Sequence, residues 1–151
     1  MFLLAKRVIC QFEGDYFVFT ARLICRIPEK KAFRFRIQYW EDDFTNYHDK
    51  LTRFDNIGSA TNGEALVNNF AKMYGDSFHP LAYWHGYFGS YEPYAIIHHD
   101  CVKGTKMKKI TRYLDDCLIM ERNCNRKIHL DLTEMGDDVD VEPVMNATFS
   151  F

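Results

Sequence analysis

The 151-residue sequence predicts a single-domain α+β fold. Its sheet is antiparallel, an N-terminal three-stranded meander plus later strands, with two helices packed on one face. Three observations carry this expectation. Glu13-Gly14-Asp15-Tyr16 has the Gly-Asp centre of a two-residue hairpin, whose mirror-image turn suits the twist of paired strands. Phe33–Trp40 alternates strictly, with Phe33, Phe35, Ile37 and Tyr39 on one side and Arg34, Arg36, Gln38 and Trp40 on the other, the period-2 signature of a strand with one buried face. Two segments instead repeat their apolar residues at helical spacing.

The elements follow in order. Pairing Glu13 with Tyr16 sets Phe12 against Phe17, Cys10 against Phe19 and Val8 against Ala21 on an apolar face. Gln11–Val18, Ile9–Thr20 and Arg7–Arg22 then fall on the other. A loop at Pro28–Lys31 leads to the third strand of the meander. Residues 50–54 read as a short strand and Asp55–Gly58 as a turn. Thr61-Asn-Gly-Glu64 has the form of a capping box, in which hydroxyl and carboxylate satisfy each other's orphan amides. It predicts a helix to about Tyr74, with Leu66, Val67, Phe70 and Met73 inward and Gly75 as its stop. The aromatic-rich stretch 77–100 divides into strands near 81–88 and 94–99. A second helix is expected from about Lys106 to Glu121, capped by Thr105, with Met107, Ile110, Leu114, Cys117 and Leu118 as its buried stripe. Lys127–Leu132 alternates again. The domain is placed at 1–133, and 134–151 is an acidic tail.

Composition limits the function classes. Apolar residues make up 47% and charged residues 26%, which excludes a disordered or collagen-like chain. No apolar run approaches the roughly 20 residues of a membrane helix. The first residues place their charge after a four-residue apolar stretch, the reverse of a secretory signal. Five scattered cysteines with no C-x-x-C pair argue against a zinc ribbon and for reduced thiols in the cytoplasm or nucleus. Net charge is only −2, yet all 19 Lys and Arg lie at or before Lys127, while Asp131, Glu134, Asp137, Asp138, Asp140 and Glu142 follow it. A basic body and an acidic tail are expected. The apolar pairs Val144-Met145 and Phe149/Phe151 would pin the tail to the body or to a second copy.

Four groups of residues are candidates for chemistry. Arg7, Arg22, Arg26, Arg34 and Arg36, with Trp40 among them, form a predicted basic sheet face. Guanidinium forks suit phosphate or carboxylate, and interleaved aromatics stack; neutralised solvent faces look the same. Lys106, Lys108, Lys109 and Arg112 crowd the start of the second predicted helix, where cations oppose the dipole unless an anion is bound. His98, His99 and Asp100, with His85, have the residue types of a metal or acid–base site. Adjacent strand histidines point to opposite faces, however, so only one of the pair can serve a given site. Glu41, Asp42, Asp43, Asp49 and Asp55 form an acidic group, as Mg²⁺ sites do and as solvated loops also do. No Walker, kinase or G-x-S-x-G pattern occurs. The function expected is therefore non-enzymatic: a module docking an acidic macromolecule, nucleic acid or protein, through its basic face. No cofactor and no membrane are implied, and self-association is open. The alternative is a small metal-dependent hydrolase or nuclease using the His and Asp residues.

Overall fold

A computed structural model describes residues 14–30, 32–42, 48–73, 90–118 and 123–139. Among them the chain forms eleven strands and no helix, so the α+β expectation is corrected to an all-β fold. Three strands compose one sheet, in the order β10 (Asn123–Asp131), β1 (Asp15–Ile24), β5 (Glu64–Met73). A second sheet runs β11 (Asp137–Val139), β8 (Met107–Tyr113), β7 (Pro93–His99), β2 (Phe33–Asp42), with β3 (His48–Lys50) and β4 (Asn56–Ala60) sharing the far edge of β2. Short strands β6 (Ser90–Tyr91) and β9 (Cys117–Leu118) pair separately. No helix among the described residues is long and apolar enough to cross a membrane.

The two main sheets pack face to face. Phe17, Phe19, Ala21 and Leu23 of β1 are fully buried, as are Ile37 and Tyr39 of β2, and Phe33 and Phe35 are nearly so. The Phe19 and Tyr39 rings stack at 4.1 Å across the core, and Tyr91 meets Phe17 edge-on at 5.0 Å. Aromatic pairs of this kind add to area burial. The predicted alternation of β1 and β2 thus chooses the inward residues correctly. Its partners are different. β1 and β2 are not neighbours in one meander but lie in opposite sheets. Both edges of β1 are occupied: β5 pairs antiparallel along its full length and β10 pairs parallel from Tyr16 to Ile24. Residues 8–12, assigned to pair with 17–21, lie outside the described residues, and the edges they would need are taken.

Both predicted helices are strands. In β5 the inward residues are Ala65, Val67, Asn69, Ala71 and Met73, while Leu66 and Phe70 face solvent. The capping-box glutamate, Glu64, opens the strand instead. Asn62-Gly63 makes the tight turn that carries the chain from β4 into the opposite sheet. Gly63 has φ +71°, and a Cβ there would meet the Cys25 carbonyl at 2.8 Å, whose own amide donates to the Gly63 oxygen at 2.7 Å. In the second segment the chain runs as strand from Met107 to Tyr113, breaks at Leu114–Asp116, and resumes at Cys117–Leu118. Asn56–Ala60, read partly as a turn, is a strand. β7 and β10 fall where alternation places them. The aromatic stretch before Ser90 lies outside the described residues.

Two disulfides correct the reduced-thiol reading. Cys25, just after β1, is bonded to Cys101, just after β7, with Cα atoms 5.7 Å apart; Cys117 is bonded to Cys124. Residues 76 apart in sequence meet because β1 and β7 end on the same side of the sandwich. The start of the acidic segment packs on the body. Met135 and Gly136 turn the chain so that Asp137–Val139 pairs with Lys109–Met107 of β8. Residues 140–151, with both apolar anchors, lie outside the described residues.

Candidate functional site

Splitting the meander between two sheets divides the predicted basic face. Arg22 projects from the outer surface of the β10-β1-β5 sheet, whereas Arg34 and Arg36 project from the outer surface of the other sheet, on the far side of the molecule. Each is matched by a carboxylate. Arg22 Nε and NH2 donate to Glu64 at 2.6 and 3.0 Å. This exchange raises the guanidinium pKa and lowers that of Glu64. Arg26 Nε lies 2.9 Å from Asp131. Arg34 donates its backbone N–H and its Nε to Asp100 at 2.7 and 2.9 Å, and Lys30 joins the same carboxylate at 3.7 Å. Arg36 donates to Asp55, which also accepts from Gln38 at 3.0 Å and lies 2.5 Å from Lys50. Burial pushes the Asp55 carboxyl up, but these donors outweigh it and hold the group below its usual range. Trp40 is half-buried between Lys50 and Tyr94, and its Nε1 has no hydrogen-bond partner among the described residues. Arg7 lies outside the described residues.

The lysine cluster disperses as well. Lys106 and Lys108 both reach Asp138, at 2.8 and 3.1 Å, and hold its carboxyl low. Lys109 flanks His98 on the outer face, where burial first, then Arg36 and Lys109, lower the imidazole pKa. Of the four, Arg112 alone turns into an open cavity.

The histidine pair splits as strand geometry requires. His99 is fully buried; its Nδ1 accepts from the Cys101 N–H at 3.2 Å and its Nε2 is 3.0 Å from the Met135 oxygen. This assigns the proton to Nε2 and leaves neither nitrogen for a ligand. Burial drives its pKa down to about 4. Asp100 is occupied by Arg34 and Lys30, and His85 lies outside the described residues. No group of three or more His, Cys, Asp or Glu among the described residues is arranged to hold a metal.

The arrangement that does gather cations was not foreseen as a unit. Where the sandwich opens between β8 and β10, a cavity of about 400 Å³ is lined by Arg112–Asp115 and Asn125–His129. Arg112 lies opposite buried Ala95 on the inward side of β8. Arg126 faces inward from β10, and its guanidinium donates to the carbonyls of Asp115 at 2.6 Å, Asn125 at 2.9 Å and Asp116. Those partners are neutral, so the positive charge stays uncompensated. Lys127 and His129 complete the rim, with Asp115 as the opposing carboxylate. Arg112 and Lys127 form no ion pair among the described residues. The sequence singles out Arg112 here and His129 only as a neighbour of the His98–Cys101 group, and does not single out Arg126 or Lys127, because only the parallel pairing of β10 with β1, over 100 residues away, brings them beside β8. No protein family, curated protein or solved structure matches the chain.

Proposed function

We propose that the protein is a non-enzymatic binding module whose partner is an acidic polypeptide segment, received at the cleft between β8 and β10. The observation that carries this reading is Arg112. Arg22, Arg26, Arg34 and Arg36 of the predicted basic face all have carboxylate partners, whereas Arg112 forms no ion pair among the described residues and lines a cavity together with Arg126, Lys127 and His129. Guanidinium groups in a recess favour carboxylates through paired, charge-assisted hydrogen bonds. Strand edges support a peptide. Residues 110–113 of β8 lie beyond the reach of β11, and the outer edge of β10 carries no strand among the described residues. An extended segment can add its backbone to such an edge while its side chains fill the adjoining pocket. The disulfides favour an oxidising compartment over the cytoplasm or nucleus, and this weighs a protein partner above nucleic acid.

The test is a titration of the full chain with an oligoglutamate peptide and, separately, a single-stranded oligonucleotide of equal charge. The peptide should bind with marked salt dependence. Arg112→Glu with Lys127→Glu should weaken it at least tenfold, while Arg34→Ala, on the outer face of the other sheet and away from the cavity, should leave it unchanged. Preferential binding of the oligonucleotide moves the partner class to nucleic acid. Equal loss in Arg34→Ala, or no binding of either probe, rejects the cleft.

A further inference from the structure

The outer face of the three-stranded sheet has a character unlike the rest of the surface. Reading across β10, β1 and β5, its rows are Asn123–Tyr16–Lys72, Asn125–Val18–Phe70, Lys127–Thr20–Asn68, His129–Arg22–Leu66 and Asp131–Ile24–Glu64. Phe70 is 72% exposed, Leu66 68% and Tyr16 45%. With half-buried Val18 and Ile24 they make two apolar groups on a regular sheet, Tyr16, Val18 and Phe70 on one side of the hydrogen-bonded Thr20–Asn68 row and Leu66 and Ile24 on the other, and exposed apolar surface of this kind marks an association surface. The charges at its ends are opposite. Lys72 stands at one end, over the Tyr16 ring at 4.9 Å, and Glu64 and Asp131 stand at the other.

We propose that this face is the self-association surface of the protein, packing on the same face of a second copy with its strands antiparallel. Charge decides the geometry. A two-fold axis lying in the interface across the strands places row one over row five. Lys72 of each copy then faces Glu64 of the other, which Arg22 of its own copy also reaches, Phe70 faces Leu66, Tyr16 faces Ile24, and Val18 faces the Arg22 side chain. A two-fold axis along the strands sets β5 over β10 instead. It brings Glu64 against Asp131 and leaves Phe70 over Asn125, so acid meets acid and an apolar ring meets an amide. The first arrangement is self-complementary, as an isologous dimer must be, and resembles the face-to-face stacking of sheets about 10 Å apart. Lys127 then meets Lys127 on the β10 side, where long ammonium chains splay into water. Three strands about 4.8 Å apart and ten residues long cover roughly 450 Å² per copy. About 900 Å² in total belongs to a weak, reversible dimer. The cleft at Arg112 opens between the sheets and adjoins this contact along β10, where Lys127 and His129 border both.

Sedimentation of the full chain should show self-association on the order of 0.1 mM, weakened at least tenfold in Leu66→Asn/Phe70→Asn, both of them exposed positions. A protein monomeric at about 1 mM overturns the proposal whatever the variant does. Register is read by cross-linking in a Cys10→Ser background. A mixture of the Leu66→Cys and Phe70→Cys proteins should form the disulfide-linked dimer on mild oxidation. Each variant alone should not, because like positions stand about 13 Å apart, four residues of strand. Cross-linking of either variant alone, or association without cross-linking of the mixture, overturns the antiparallel geometry. Capture of a different protein by this face, with no self-association, assigns it to that partner instead.

Discussion

The outer faces of the two main sheets are built on opposite plans. On the sheet containing β2 and β7, the arginines of β2 and their neighbouring lysines are tied to carboxylates: Arg34 and Lys30 to Asp100, Arg36 and Lys50 to Asp55. Several of these groups are half-buried, so the face is an internally neutral network. On the sheet containing β1 and β5, two exposed pairs, Arg22–Glu64 and, at its end, Arg26–Asp131, leave Phe70, Leu66 and Tyr16 bare to water. The contrast shows that a row of arginines along a strand says little about binding. What matters is whether the loops and neighbouring strands supply acids. Here Asp55 and Asp100 come from the ends of other elements, and they close one face while the other stays open.

The largest way to break the comparison is to untie the sheets. Replacing Cys25 and Cys101 together by Ser opens a loop of 76 residues and should cost about 4 kcal/mol in urea unfolding. Next is the network itself. Asp55→Ala leaves Arg36, 16% exposed at its side chain, without its carboxylate. Removing one member of a buried pair costs about 3 kcal/mol, so the melting temperature should fall by several degrees. The same truncation on the open face, Glu64→Ala beside exposed Arg22, should leave it nearly unchanged. A comparable loss at both sites would show that the two faces do not differ as described.

A pH titration sharpens the contrast. Buried His99 holds its pKa at about 4 in the fold, against about 6.5 when unfolded. The unfolded chain therefore takes up the proton first. Stability should be flat above pH 7 and fall as pH drops from about 6.5 to 4, by up to about 3 kcal/mol. Asp55, held low by its donors, adds a further loss below its ordinary carboxylate range. His99→Gln should flatten the upper part of this slope. The smallest effect belongs to Arg22→Ala, whose exposed pair is screened by salt; no change in the unfolding midpoint should be resolved.

Much of the core was legible in the sequence. In β2 one side of the alternation is apolar and the other is not, and in β1 the inward side holds Phe17, Phe19, Ala21 and Leu23 without a polar residue, so these strands could point only one way. β5 was not legible, for a definable reason. Its two largest apolar residues, Leu66 and Phe70, face solvent four positions apart, and with Val67 and Met73 they imitate a helical stripe. Its core face holds Ala65, Ala71 and Asn69, the last buried and accepting from the Asn56 side-chain amide at 2.7 Å. Met107, Ile110 and Leu114 mislead in the same way: the first two belong to β8, and the third lies past its end. The cleft was illegible because its cations come from β8 and β10, whose proximity depends on long-range pairing. The standing of Arg22, Arg34 and Arg36 likewise turned on which sheet each strand joins, information that alternation does not contain.

The parallel pairing of β1 with β10 has a consequence for synthesis. Tyr16 must wait for Asn123, and at about 5–20 residues per second the ribosome takes roughly 5–20 s to supply it. Until then β1 has at most β5 beside it. Phe17, Phe19 and Leu23 lack the completed sheet, and Cys25 lacks Cys101 for most of that interval. β10 thus works as a clasp that closes the second edge of β1 long after β1 itself has been made.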